Sequence, residues 1–136
     1  MASYLFVDVD TLLTRLRQRG VSIDLYEFAN KMRGGAALAA GLNNPSDLVA
    51  VAVAPWEMEE AVYGGSVSPQ RAFTASGFEL CDLPDRAQFG AVLIDQYLQA
   101  DQSVNELILA TNDASILPFL TQVKLAPGGR LRKGRP

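Results

Sequence analysis

The chain has 136 residues, 49% of them hydrophobic, and 15 acids against 12 bases for a net charge of −3; this is one domain's length, enough to bury a core. It has no histidine and a single cysteine, Cys81, which excludes Ser-His-Asp and Cys-His catalysis, imidazole metal ligands, disulfides within the chain and multi-cysteine zinc sites. No run approaches the roughly 18 apolar residues of a membrane span, and the opening MASYLFVDVD meets an acid too early for a signal peptide, so a cytoplasmic protein without membrane contact is expected.

The first predicted element is a short buried strand at residues 4–9, YLFVDV, rich in aromatic and β-branched residues. A helix follows over 11–19, with Leu12, Leu13 and Leu16 on one face and Gly20 closing it. The second helix starts at Asp24, whose side chain can cap it. Glu27 stands at the capping-box position, and Ile23 and Phe28 at the staple positions. Gly34-Gly35 is expected to weaken this helix beyond Met32, leaving AALAAGL as a separate helical turn and NNPSD as a turn. DLVAVAVAP (47–55) lacks polar alternation and reads as a strand buried on both faces. WEMEEAVYGG is helix or loop. Ser68-Pro69 is a cap followed by proline at the first helical position, and Gly77 ends that short helix. FELCDLP is a third strand, in which Cys81 is expected only to pack. A long helix is predicted over RAQFGAVLIDQYLQAD (86–101), a fourth strand at NELILAT, and a last helix over 114–123. Pro118 is tolerated if that last helix begins near Ala114 or Ser115, because the first turn has unbonded N–H groups.

This alternation predicts an α/β domain over residues 1–126: a parallel sheet of four to five strands with helices on both faces. A fifth strand, if present, would be short. Four of the twelve bases lie in the last seven positions, including Arg130, Arg132 and Lys133. Residues 127–136 are therefore expected to be a flexible basic tail on an acidic body. Such a charge distribution is no broad nucleic-acid platform, although the tail could touch phosphate.

In open parallel sheets functional groups gather beyond the carboxyl ends of the strands. Asp8 and Asp10 close the first strand and Asp113 closes the fourth. If the strand order reverses beside the first strand, the first and fourth strands become neighbours and bring Asp8 towards Asp113. Asp95 sits among Leu93, Ile94, Tyr97 and Leu98 in the long helix, where an acid needs a reason. Converging carboxylates repel unless a cation neutralises them, and an oxygen-only site suits Mg²⁺ or Mn²⁺. A metal so held can activate water and stabilise charge on a phosphoryl oxygen. Each acid also has a plainer reading: Asp10 or Asp113 as a helix cap, Asp95 as an exposed helix position.

The set LFVDVDTL, Asp95 and LILATNDASILPFL resembles the NYN branch of the PIN-like nuclease superfamily, over about residues 4–123. Asp8 matches the family's first acid and Asp10 the acidic or amide position after it. Asp95 matches the second helical acid, Asp113 the first Asp of the final motif, and Pro118 the proline after it. The resemblance implies a three-layer PIN-like fold and a Mg²⁺- or Mn²⁺-dependent endoribonuclease acting on single-stranded RNA. Asp8, Asp95 and Asp113 would be its metal ligands and catalytic residues, and Asp10, Asn112 and Ser115 its supporting groups. Apart from the resemblance, Arg15 and Arg17, or Arg130, Arg132 and Lys133 of the basic tail, are expected to steer the phosphate backbone of such an RNA.

The departures define the alternative. Thr11 stands where the family often has Asn, Arg86 replaces a Lys, and Phe89 replaces an earlier helical Asp. Thr111-Asn112 replaces Ser-Gly, and Ser115 replaces the second Asp of the final motif. With two acids missing, the chain reads alternatively as a non-cleaving NYN domain acting as an assembly or RNA-associated scaffold. Self-association through an exposed sheet edge is expected in either case. VDVDTLL also resembles the DxDxT loop of haloacid-dehalogenase-like phosphatases, but Leu12 occupies a position that requires Thr or Val.

Overall fold

The structure, a computed structural model, describes residues 2–83, 104–111 and 130–134. Strand β1 (Ala2–Asp8) runs without a break into helix α1 (Val9–Gln18). The junction is set by Asp8, whose Oδ1 accepts from the Thr11 N–H at 3.3 Å. The cap is therefore Asp8, and Asp10, one of the expected caps, falls inside the first turn.

Helix α2 (Leu25–Ala39) begins as expected at Asp24, which accepts from the N–H groups of Tyr26 at 3.0 Å and Glu27 at 3.2 Å. The Glu27 carboxylate pairs with Lys31 one turn on, at 2.6 Å. Gly34-Gly35 does not end the helix. Leu25 and Ala29 before the glycines and Ala36 and Ala37 after them are buried, with Met32 partly buried between, and this packing overrides the glycines' helix penalty of about 1 kcal/mol each. AALAA is thus the last turn of α2.

A single 3-10 turn, Pro45–Asp47, leads into β2 (Leu48–Ala54). Helix α3 (Trp56–Tyr63) follows directly. Helix α4 (Pro69–Ala75) is capped by Ser68, whose Oγ accepts from the Arg71 N–H, with Pro69 at the predicted first position. Strands β3 (Phe78–Asp82), β4 (Val104–Ala110) and β5 (Arg130–Gly134) complete the elements among the described residues. The predicted helices at 86–101 and 114–123 lie outside the described residues.

All strands among the described residues are parallel, in the order β3-β2-β1-β4-β5. The order therefore reverses beside β1, and β1 and β4 are neighbours with Val7 opposite Ala110. The basic end corrects the expectation of a flexible tail. Arg130–Gly134 pairs with β4, Arg130 opposite Glu106 and Gly134 opposite Ala110. RLRKG has no strand-like apolar pattern. The unpaired edge of β4 supplies the backbone partners that make it a strand.

Both faces of the sheet are buried at its central strands, β2, β1 and β4. One carries Leu5 and Val7 of β1, Ala50, Ala52 and Ala54 of β2, and Ile108 and Ala110 of β4, all joined to one core cluster with α1 to α4. The alanines leave room for large rings. Phe73 of α4 sits 5.2 Å from Phe78, 5.8 Å from Trp56 and 6.3 Å from Phe28, ring centre to ring centre. The Trp56 indole N–H donates to the Cys81 carbonyl of β3 at 3.0 Å. On the other face Phe6, Val51, Val53, Leu107 and Leu109 are buried as well, as a three-layer α/β arrangement requires. Among the described residues no helix is long and apolar enough to cross a membrane.

Candidate functional site

The strand order reverses beside β1, and such a switch point is where α/β sheets hold their ligands. Asp8 is the last residue of β1, and Thr111 follows the last residue of β4. The Thr111 hydroxyl donates to Asp8 Oδ2 at 2.8 Å, so the two strand ends are tied together at this point. Asp8 is 1% exposed, with Oδ1 on the Thr11 N–H and Oδ2 on Thr111. Burial pushes its carboxyl above the usual range. The hydrogen bonds from Thr11 and Thr111 pull it part of the way back, and the charge of Asp10 adds to the rise.

Asp10, in the first turn of α1, is also buried. Its carboxyl is hydrogen-bonded to that of Glu59. Two carboxylates offer only acceptors, so this contact favours the protonated form of Glu59. Glu59 stands on α3, and its side chain is 2% exposed. Burial, then the bond to Asp10, push its carboxyl up to about 7, while the Arg17 guanidinium pulls in the opposite direction. Arg17 Nη1 lies 3.4 Å from Glu59 Oε2, and Nη2 donates to Thr14 Oγ1 at 3.3 Å. Asp8, Asp10 and Glu59 are thus three buried acids at this end of the sheet, Asp10 raising the carboxyls of both the others, with the Arg17 guanidinium on Glu59.

Of the expected site residues, the structure brings Asp8 to the switch point and puts Asp10 beside it, turned to Glu59. Asp95, Asn112, Asp113 and Ser115 lie outside the described residues. Arg17, expected on the RNA backbone, is joined to the buried Glu59, and Arg15 is exposed on α1. Arg130, Arg132 and Lys133 belong to β5, which β4 separates from β1. Among the described residues, no group of three or more acid or cysteine side chains is arranged to hold a metal ion.

Two participants were missed from the sequence. Glu59 belongs to WEMEE, which follows the carboxyl end of β2, and β2 is in register with β1, Val53 opposite Asp8. An acid just beyond a buried parallel strand was the available signal. Thr111 was noted only as a departure from a family motif, yet it is the residue that holds Asp8. Compared with models of known protein families, with curated proteins and with solved structures, the chain finds no match.

Proposed function

We propose that this chain is a divalent-metal-dependent, endoribonuclease-like domain acting on single-stranded RNA, centred on Asp8. The observation that supports the reading is the place of Asp8, a buried carboxylate at the carboxyl end of β1 and bonded to the end of β4 at the switch point of the sheet. The described residues fit a metal only in part. Asp8 already accepts two hydrogen bonds, but a carboxylate offers about four lone-pair sites. Asp10 is turned to Glu59, so the remaining ligands of the reading are Asp95 and Asp113, as the family resemblance implies. Bound Mg²⁺ or Mn²⁺ would supply water activation and charge stabilisation at a phosphoryl oxygen. The chain's own part is positional. Thr111 and the Thr11 N–H fix the rotamer of Asp8, and its burial makes a nearby cation favourable.

A second reading, the non-cleaving scaffold, is favoured by the same cluster. Burial and the neighbouring Asp10 hold the Glu59 carboxyl towards its protonated form, and its other side faces Arg17, so Asp10 and Glu59 are engaged with one another in an arrangement that does not call for a metal.

Titration of the folded protein with Mn²⁺, followed by electron paramagnetic resonance, separates the two. The nuclease reading expects binding at millimolar metal and cleavage of a single-stranded RNA, both lost in Asp8→Asn and Asp113→Asn. A protein that neither binds Mn²⁺ nor cuts belongs to the second reading. Cleavage that survives both substitutions overturns the first.

A further inference from the structure

The described sheet ends in β3 on one side and β5 on the other, and each of these strands is five residues long. In β3, Glu79, Leu80 and Asp82 are exposed. The Leu83 N–H donates to the Ala54 carbonyl at 2.8 Å, towards β2. Since backbone groups alternate along a parallel strand, those of Leu80 and Asp82 point away from the sheet. This edge is thus able to receive another strand.

The two edges carry opposite charge. FELCD of β3 has two acids, Glu79 and Asp82, and no base. RLRKG of β5 has three bases, Arg130, Arg132 and Lys133, and no acid. Charged edge strands normally oppose edge-to-edge pairing. Here they oppose only like pairings, β3 with β3 or β5 with β5, because like charges directly across a strand pair are destabilising and unlike charges are favourable. The pairing left open joins β3 to β5, which cannot happen within one sheet. Because both strands run in the same direction, a second copy would dock with its sheet continuing the first in the same sense.

We infer that the acidic β3 edge of one chain pairs with the basic β5 edge of a second copy, so that the parallel sheet continues from molecule to molecule. The contact is head-to-tail, and it leaves one free edge of each kind at the two ends of the assembly. It therefore grows beyond a dimer unless the rotation closes a ring. This inference is independent of the metal reading and uses none of the carboxyls at the switch point.

Sedimentation of the full chain at low and high salt tests it. At low salt, where the Debye length is roughly 30 Å, concentration-dependent growth beyond the monomer is expected. In about 1 M salt, where it is roughly 3 Å, the association should weaken about tenfold or more. The variant Glu79→Lys/Asp82→Lys and the variant Arg130→Glu/Arg132→Glu/Lys133→Glu should each be monomeric. Mixing the two makes both interfaces complementary again, so assembly should return in the mixture. A wild-type chain that stays monomeric at low salt overturns the inference. So does either variant assembling as the wild type does, or a mixture of folded variants that stays monomeric.

Discussion

Phe73 and Glu59 stand on adjacent helices and are almost equally hidden from solvent, at 0% and 1% exposure. The surroundings differ. Phe73 is enclosed by the rings of Phe28, Trp56 and Phe78 over the alanine face of β2. Glu59 meets another carboxyl and a guanidinium whose side chain is 32% exposed. Burial stabilises the first and penalises the second, since an ion pair removed from water often loses more in desolvation than it regains. Equal burial therefore has opposite thermodynamic meaning at the two places. The carboxyl cluster is the one whose presence packing does not explain.

The largest test of this contrast is Phe73→Ala. It removes the ring shared by three aromatic contacts and should destabilise the fold by about 3–5 kcal/mol in urea unfolding, with little dependence on pH. A loss under about 1 kcal/mol would mean the alanine face closes over the gap, and the region is less tightly filled than its ring spacing implies.

Next in size is the pH dependence of the carboxyl cluster. The Glu59 carboxyl ordinarily titrates at 4.5 and is pushed up to about 7 in the folded chain. The folded state thus holds the proton more tightly than the unfolded one. Its contribution is complete below pH 4.5 and disappears as pH rises through about 7. At about 1.36 kcal/mol per unit, roughly 3 kcal/mol should be lost across that window. The raised Asp8 carboxyl acts with the same sign. Glu59→Gln can still donate to Asp10 and accept from Arg17 without a buried charge, so it should be more stable than wild type at pH 8 and should flatten the pH curve. If wild type instead gains stability between pH 5 and 8, Arg17 outweighs burial and the contrast with Phe73 is lost.

The smaller effects concern how α2 and α4 hold the aromatic region. Gly77 has φ +90°, and a Cβ there would stand 2.7 Å from the Arg33 guanidinium carbon. Gly77→Ala should therefore cost roughly 1–3 kcal/mol. Gly34 and Gly35 are helical, with open space where a Cβ would go. Alanine at either should raise stability by about 0.5–1 kcal/mol, read as a shift in the unfolding midpoint. Equal outcomes at Gly77 and Gly34 would show that neither the positive φ of Gly77 nor the Arg33 side chain beside it constrains the end of α4.

Much of the scaffold was legible from local patterns. β1, β2 and β4 announce themselves as apolar runs, and α2 and α4 as Asp24 and Ser68-Pro69, because these signals act within a few residues. The continuation of α2 through Gly34-Gly35 was not legible, since packing of Ala36 and Ala37 decides it. Nor was β5, whose partner lies some twenty residues back in sequence and whose own residues are mostly charged. At the candidate site, Asp8 could be placed from the end of β1 and the neighbourhood of β1 and β4 anticipated. The bond between Asp10 and Glu59 could not, because it exists only once α1 and α3 are set side by side by the register of β1 on β2.

Trp56 is the chain's only tryptophan, and its indole bridges α3 to the Cys81 carbonyl of β3 while packing on Phe73. Intrinsic fluorescence is therefore a single-site reporter placed where α3, α4 and an edge strand meet. Emission from a sheltered, hydrogen-bonded indole should move to longer wavelength when β3 detaches. Spectroscopy without any label can thus distinguish loss of the sheet's edge from changes at the carboxyl cluster.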